Sequence, residues 1–186
     1  MPAGAYACPD GPVTFIVPYS PSGNTYVFSR HVAPYLEELW GETVIVDNKP
    51  GGGSMVGTAH VAKAKPDGKT LLITTSAFVT APAIQTGLPF DSRTDLIPVA
   101  NVGFVSYSLV TNANSGFKTL DEFVSASKEN SKFAATAGLG TTTHFAMEQF
   151  IADSGANVEV VHYKGGGPAV VSIMSGETDI YGSSVS

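Results

Sequence analysis

The sequence predicts an α/β protein of two lobes, each a mostly parallel sheet flanked by helices. Three observations carry this. Residues 13–76 alternate apolar, β-branched runs with helical patterns in the order β-α-β-α-β, which implies a parallel, right-handed sheet. Residues 133–181 repeat the same rhythm without residue identity. Between them, AFVTAPAIQTGLPFDSRTDLIPVA carries three prolines and no clear period, and reads as loop with one short helical turn. The expected lobes are residues 1–106 and 107–186, with the chain crossing between them near residues 105–112.

The first strand is the apolar run at residues 13–17. Val13, Phe15, Ile16 and Val17 suit a strand buried on both faces of a parallel sheet. The turn after it, PYSPSGNTY, holds three N-cap residue types in Ser22, Asn24 and Thr25. The helix over residues 24–40 places Phe28, Val32, Leu36 and Leu39 on one face, and Pro34 predicts a kink or break near Arg30. A second strand at 44–46 leads into the glycine-dense DNKPGGGSMVG, then a helix over 54–64 closed by Pro66-Asp67-Gly68. TLLITTS, residues 70–76, is the third strand.

In the second half, 98–105 and 107–111 read as strands with little between them. Thr119 and Glu122 fit a capping box for a helix reaching residue 130. A strand at 133–137, a helix opening at GLGTTTH and running to 154, a strand at 158–162, a helix at 166–175 and a strand at 178–181 follow. The chain then stops on GSSVS, and a second lobe with three strands and no closing helix reads as an interrupted fold.

Composition narrows the function. The 186 residues are 43% hydrophobic and 14% charged, so a packed core is expected. A net charge of −6 with ten scattered Lys and Arg excludes a nucleic-acid stripe. The single cysteine, Cys8, excludes a disulfide framework and reads as an unpaired, semi-exposed thiol at a frayed terminus. No apolar run is long enough to span a membrane. MPAGAYACPDGP has neither a basic nor an apolar leader region, so the protein is either cytosolic or has lost its leader.

The candidate binding groups cluster in turns at strand ends, where open α/β sheets take their ligands. In the first turn, Tyr19, Ser22, Gly23, Asn24 and Thr25 read either as an anion cradle of backbone amides and short hydroxyls or as an ordinary capped helix start. Gly138, Gly140, Thr141, Thr142 and His144 form a second turn of the same type, with His144 in the first helical turn, where the dipole favours the neutral ring. For His144 the other reading is a structural hydrogen bond to the loop. Ser76, Ala77 and Phe78 close the third strand beside the first turn. Lys164, in HYKGGGPA, either attracts an anion or covers a strand end with its stem. PGGGSMVG has the wrong spacing for a dinucleotide fingerprint and reads as a tight βα turn. His31, His60, His144 and His162 lack metal-ligand spacing, and Glu177 and Asp179 read as solvated. Neither HEXXH nor GXSXG occurs, so no enzyme, metal or cofactor is expected.

PYSPSGNTY, DNKPGGGSMVG, KPDGKTLLITTS, LPFD, GLGTTTH and HYKGGGPAV occur in this order, and the chain thereby resembles the solute-binding proteins of tripartite tricarboxylate transporters, the TctC or Bug family. The resemblance covers residues 9–182. It implies a two-lobed periplasmic-binding-protein-like architecture of type II that closes on a small carboxylate and delivers it to membrane transporter subunits. It also implies a periplasmic location with the leader removed, and a longer mature protein. A 186-residue product is then expected to expose strand edges and self-associate, or to belong to a longer chain. The family's first turn carries two glycines and an acid where this chain has Ser22-Gly23 and Tyr26, which removes a dipole interaction of about 0.3–1 kcal/mol. Its Asn before the next proline is Ala81 here. Both departures bear on which carboxylate is bound. An extracytoplasmic sensor module and an α/β enzyme acting on an anionic substrate are the alternatives to the transport reading.

Overall fold

In the computed structural model, which describes residues 9–185, the chain forms two separate sheets. The first half runs β1 (Val13–Val17), α1 (Asn24–Trp40), β2 (Val44–Asn48), a 3-10 turn (Gly52–Ser54), α2 (Met55–Ala62), β3 (Thr70–Leu72) and α3 (Ala77–Ile84). Its strands are all parallel in the order β2-β1-β3. The second half runs β4 (Ser106–Val110), α4 (Leu120–Glu129), β5 (Lys132–Thr136), α5 (Thr142–Ser154), β6 (Val158–His162), α6 (Gly166–Ser175) and β7 (Ile180–Val185), in the order β4-β7-β5-β6. Only β4 is antiparallel there. Cys8 and Ser186 lie outside the described residues.

Each central strand is buried on both faces, as its composition requires. Val13 and Phe15 pack with Ala33, Val44, Leu36 and Trp40 under α1. Ile16 and Val17 are equally sequestered, and burying each such side chain contributes about 1.5–3 kcal/mol. In the second sheet the alternation is read directly from neighbours. Ala134 and Ile180 face Phe123 and Met147, whereas Ala135 and Tyr181 face Ala169 and Ile173. Burial pushes the Tyr181 phenol up to about 12.

Several local expectations differ from what forms. Helix α1 continues through Pro34, which costs one backbone bond while the packed stripe holds the rest. That stripe is Ser29, Ala33, Leu36 and Trp40, one residue out of step with the expected face, and Leu39 is exposed. Gly23 takes the N-cap position, and no side chain there bonds the first-turn amides. The third strand ends early because Thr74 and Thr75 turn their hydroxyls onto Tyr19. The proline-rich segment contains a full helix, α3, despite Pro82; Ala77 and Ala81 are completely buried, and Ala81 packs on Met55 and Phe90. Residues 98–105 form no strand: Val99 and Phe104 are 82% and 95% exposed, and no described strand pairs with them. The last strand instead extends through GSSV, paired with β4. Asp179 accepts the Phe133 amide at 2.8 Å, so it is engaged as well as solvated. The Thr119 cap forms as expected, bonded by Glu122 N at 3.2 Å, while the Glu122 carboxylate reaches Lys118 N.

Candidate functional site: a cleft between two sets of strand ends

Parallel strands deliver every βα turn to the same edge of the sheet, so five turns converge here. From the first sheet come residues 18–23, 49–54 and 73–76; from the second, 137–141 and 163–165.

Tyr19 organises the first group. It is 7% exposed, its carbonyl accepts Asn48 Nδ2 at 2.8 Å, and its hydroxyl meets Thr75 Oγ1 at 2.8 Å and Thr74 Oγ1 at 3.3 Å. One residue, through its main-chain carbonyl and its phenol, thereby ties together the ends of all three strands. Beyond it, Ser22 has φ 76°, and Ser54 in the second turn has φ 85°; among the described residues these are the two non-glycine residues with positive φ. Such backbone costs about 1–3 kcal/mol per residue and is held only where its surroundings enforce it.

The second group is internally bonded. Gly138 N donates to Thr136 Oγ1 at 3.3 Å, Gly140 N to His144 Nδ1 at 3.2 Å and Thr141 N to Gly138 O at 3.2 Å. The Thr141 hydroxyl, 3% exposed, donates to Gly138 O at 2.6 Å and pairs with Thr143 at 2.9 Å. Below the turn, His144 Nε2 lies 3.4 Å from Glu148, and the His144 and His162 rings stack edge to face at 4.7 Å. His162 Nδ1 sits 2.7 Å from Thr136 Oγ1. His162 is exposed as a residue, yet partial desolvation of its ring, followed by the neighbouring His144, holds it below the ordinary histidine range, with Glu148 opposing.

The two groups touch directly. Ser20 N donates to Lys164 O at 3.1 Å, and the Thr80 hydroxyl to Gly140 O at 2.7 Å. Ser76 Oγ meets Thr142 Oγ1, and Gln85 Nε2 reaches both Gly52 O at 3.2 Å and Leu139 O at 3.4 Å. Glycine permits these approaches: a Cβ on Gly53 would collide with the Leu139 carbonyl, and one on Gly140 would lie 2.7 Å from Ala81 Cβ. The 20–22 turn packs on Gly165 and Gly167, and the 138–142 turn packs on residues 52–53 and α3. The two turns singled out in the sequence therefore each meet a different partner across the cleft.

Two cavities flank these contacts. One, of about 190 Å³, is lined by Tyr19, residues 51–54, 137–139 and 162–164. The other, more open and of about 520 Å³, is lined by residues 20–22, Tyr163, Gly167, Pro168, Val171, Ser172 and Glu177. Three buried side-chain polar atoms among the described residues lack a partner: Ser20 Oγ, Ser54 Oγ and Tyr163 OH. All three residues line these cavities. Gly23, Asn24 and Thr25 form the start of α1, with Thr25 O taken by Ser29. Ala77 is wholly buried, Phe78 half-buried, and Lys164 exposed at the rim of the smaller cavity. Sequence reasoning passed over Gly51, Gly52, Gly53, Ser54, Gln85 and Tyr163. PGGGS looked like a turn and is one; only the approach of the other half reveals its place in the cleft.

The model of the tripartite tricarboxylate transporter family receptor, TctC, matches residues 28–186. Protein BugT of Bordetella pertussis is 36% identical over 179 residues, 94% of this chain and 55% of that protein. Among solved structures, the periplasmic binding protein BugD superposes with a TM-score of 0.83 at 28% identity, covering 95% of this chain and 60% of that one. R. palustris Rpa4515 with adipate superposes at 0.90 with 26% identity over the same shares. The chain spans about half the length of the curated relatives it matches. The fold is that of two-lobed periplasmic binding proteins, and the chain belongs to the TctC family of tripartite tricarboxylate transporter receptors.

Proposed function

We propose that this chain forms the ligand-capturing cleft of a periplasmic receptor, which closes on a small organic carboxylate and presents it to the membrane subunits of a tripartite transporter. The observation that carries the reading is the set of unpartnered buried hydroxyls, Ser20, Ser54 and Tyr163, gathered where the two halves meet. Buried polar atoms without partners are rare, and a carboxylate, directly or through water, supplies acceptors for such donors. The strained Ser22 and Ser54 turns and the rim Lys164 suit the same ligand. The adipate bound by the related Rpa4515 belongs to this chemical class.

On this reading Tyr19, Ser22, Gly23, Asn24 and Thr25 shape one wall, with Ser76, Ala77 and Phe78 beside them. Gly138, Gly140, Thr141, Thr142 and Lys164 shape the other. Because the amides of Gly138, Gly140 and Thr141 and the hydroxyls of Thr141 and Thr142 are already engaged, the donor that the second wall offers its ligand is the Tyr163 hydroxyl. The protein acts as a receptor and returns its ligand unchanged.

Isothermal titration with adipate, malate and citrate tests this. Binding of at least one acid, weakened about tenfold or more by Ser54→Ala combined with Tyr163→Phe, is expected, since each lost hydrogen bond to a charged group is worth about 1.5–3 kcal/mol. Undiminished binding by the double variant refutes the assignment of the site.

A further inference from the structure

The Gly140 peptide is held from both sides: its carbonyl by the Thr80 hydroxyl of the first half at 2.7 Å, its N–H by His144 Nδ1 at 3.2 Å. A backbone N–H only donates, so Nδ1 must be the unprotonated nitrogen of the ring. The ring proton of neutral His144 therefore sits on Nε2, facing Glu148 at 3.4 Å. Protonation at Nδ1 converts the acceptor into a second donor aimed at the Gly140 N–H, and the bond is lost.

We propose that neutral His144 is a positioning residue for the interlobe contact at Gly140, and that its protonation releases that contact and opens the cleft as the pH falls. The groups facing the ring oppose one another. Glu148, on the same helix, favours the cation. The amino end of α5 disfavours it, since His144 lies in the first turn. His162, from β6, disfavours it by like charge once protonated itself, and its own ring is held toward the neutral form by partial desolvation. From the first half, Ser76 meets Thr142 and Thr80 meets the Gly140 carbonyl in the same turn, and neither titrates in this range. Thr136 Oγ1 accepts from Gly138 N and lies 2.7 Å from His162 Nδ1, so the Gly138 end of the turn also leans on an imidazole, in either tautomer.

The release itself is independent of any ligand, whereas its effect on capture rests on the receptor reading above. The test follows the full chain by NMR from about pH 8 to about pH 5, the range in which histidines usually titrate. At the upper end the His144 ring should show the Nε2–H tautomer. As it charges, Gly140 amide protection should fall about three- to tenfold, the equivalent of one neutral hydrogen bond. Spin labels on Glu38 and Ala152, in a Cys8→Ser background, should move apart over the same interval. His144→Asn, which keeps an acceptor and does not titrate, should stay closed throughout; His144→Phe should stay open. An Nδ1–H tautomer overturns the proposal, as does a titrating ring with unchanged Gly140 protection and label distance. Titrations with adipate, malate and citrate run alongside separate the two readings. If label separation follows His144 while none of adipate, malate and citrate binds at any pH, the receptor reading fails and the His144 contact stands. If one of these acids binds with the same affinity across the range and the labels do not move, the His144 contact fails and the receptor stands.

Discussion

In the first half β1 lies between β2 and β3; in the second β5 lies between β6 and β7. In each, the strand that comes first among the three takes the centre and the next two flank it in the same relative order. The turns that follow then pair crosswise. The turn after β1 packs on the turn after β6, and the turn after β5 packs on the turn after β2. The halves nonetheless hold their turns differently. Tyr19 braces the first set from within its own sheet, with one hydroxyl and one carbonyl reaching two neighbouring strand ends. The second set has no such brace and is bonded loop to loop, through Thr136, Thr141 and the imidazoles of His144 and His162. Equal topology is therefore held by different chemistry: a phenol and a carbonyl in one half, hydroxyls and imidazoles in the other.

The crosswise pairing is broken most severely at its glycines. Gly53→Val places a β-branched side chain at φ 61° against the Leu139 carbonyl, and Gly165→Val places one at φ 127° with its Cβ 3.0 Å from the Ser20 amide nitrogen. Each is expected to prevent closure at a cost of about 2–3 kcal/mol or more, read as a loss of carboxylate affinity of about thirtyfold or greater. Equal losses support the crosswise arrangement; if one change is silent, only one of the two contacts exists in solution.

A smaller effect distinguishes the braces. Tyr19→Phe deletes the bonds to Thr74 and Thr75 and should lower stability by about 1 kcal/mol, measured by urea unfolding, with no pH dependence of its own. His162 should behave in the opposite way. Its folded-state pKa lies below 6.5, so as the pH falls through that value the unfolded chain takes up the proton first and stability declines until the folded ring also titrates. His162→Asn should flatten the dependence of Tm on pH in this interval, and an unchanged slope would show that another group is responsible. Smallest of all should be Lys164→Ala. Its main-chain carbonyl makes the interlobe bond and its side chain is exposed, so affinity should change by no more than about fivefold.

What the sequence made legible was the periodic part. Buried strands such as VTFIV and helices with clear caps declared themselves because their signals are local. Several of the misplacements involve partners distant in the chain. Thr74 and Thr75 looked like strand residues until Tyr19 drew their hydroxyls away, and α3 looked like loop because its stability comes from Met55 and Phe90. Residues 98–105 carried the composition of a strand and pair with no strand among the described residues. At the site, the serine and threonine turns were visible, but the facing glycines and Gln85 were not. A glycine's fitness for backbone contact is set by what approaches it, and that information lies about 86 residues away, from Gly53 to Leu139.

The crosswise contacts also have a kinematic meaning. Two bearings set apart on facing bodies define a line, and a motion that leaves both engaged can only be a rocking about it. Sliding or twisting one half over the other would pull at least one bearing out of register. Gln85, with one amide nitrogen shared between Gly52 and Leu139, acts as a pin through one of them. As long as both bearings stay engaged, rocking is the path of approach open to the two halves.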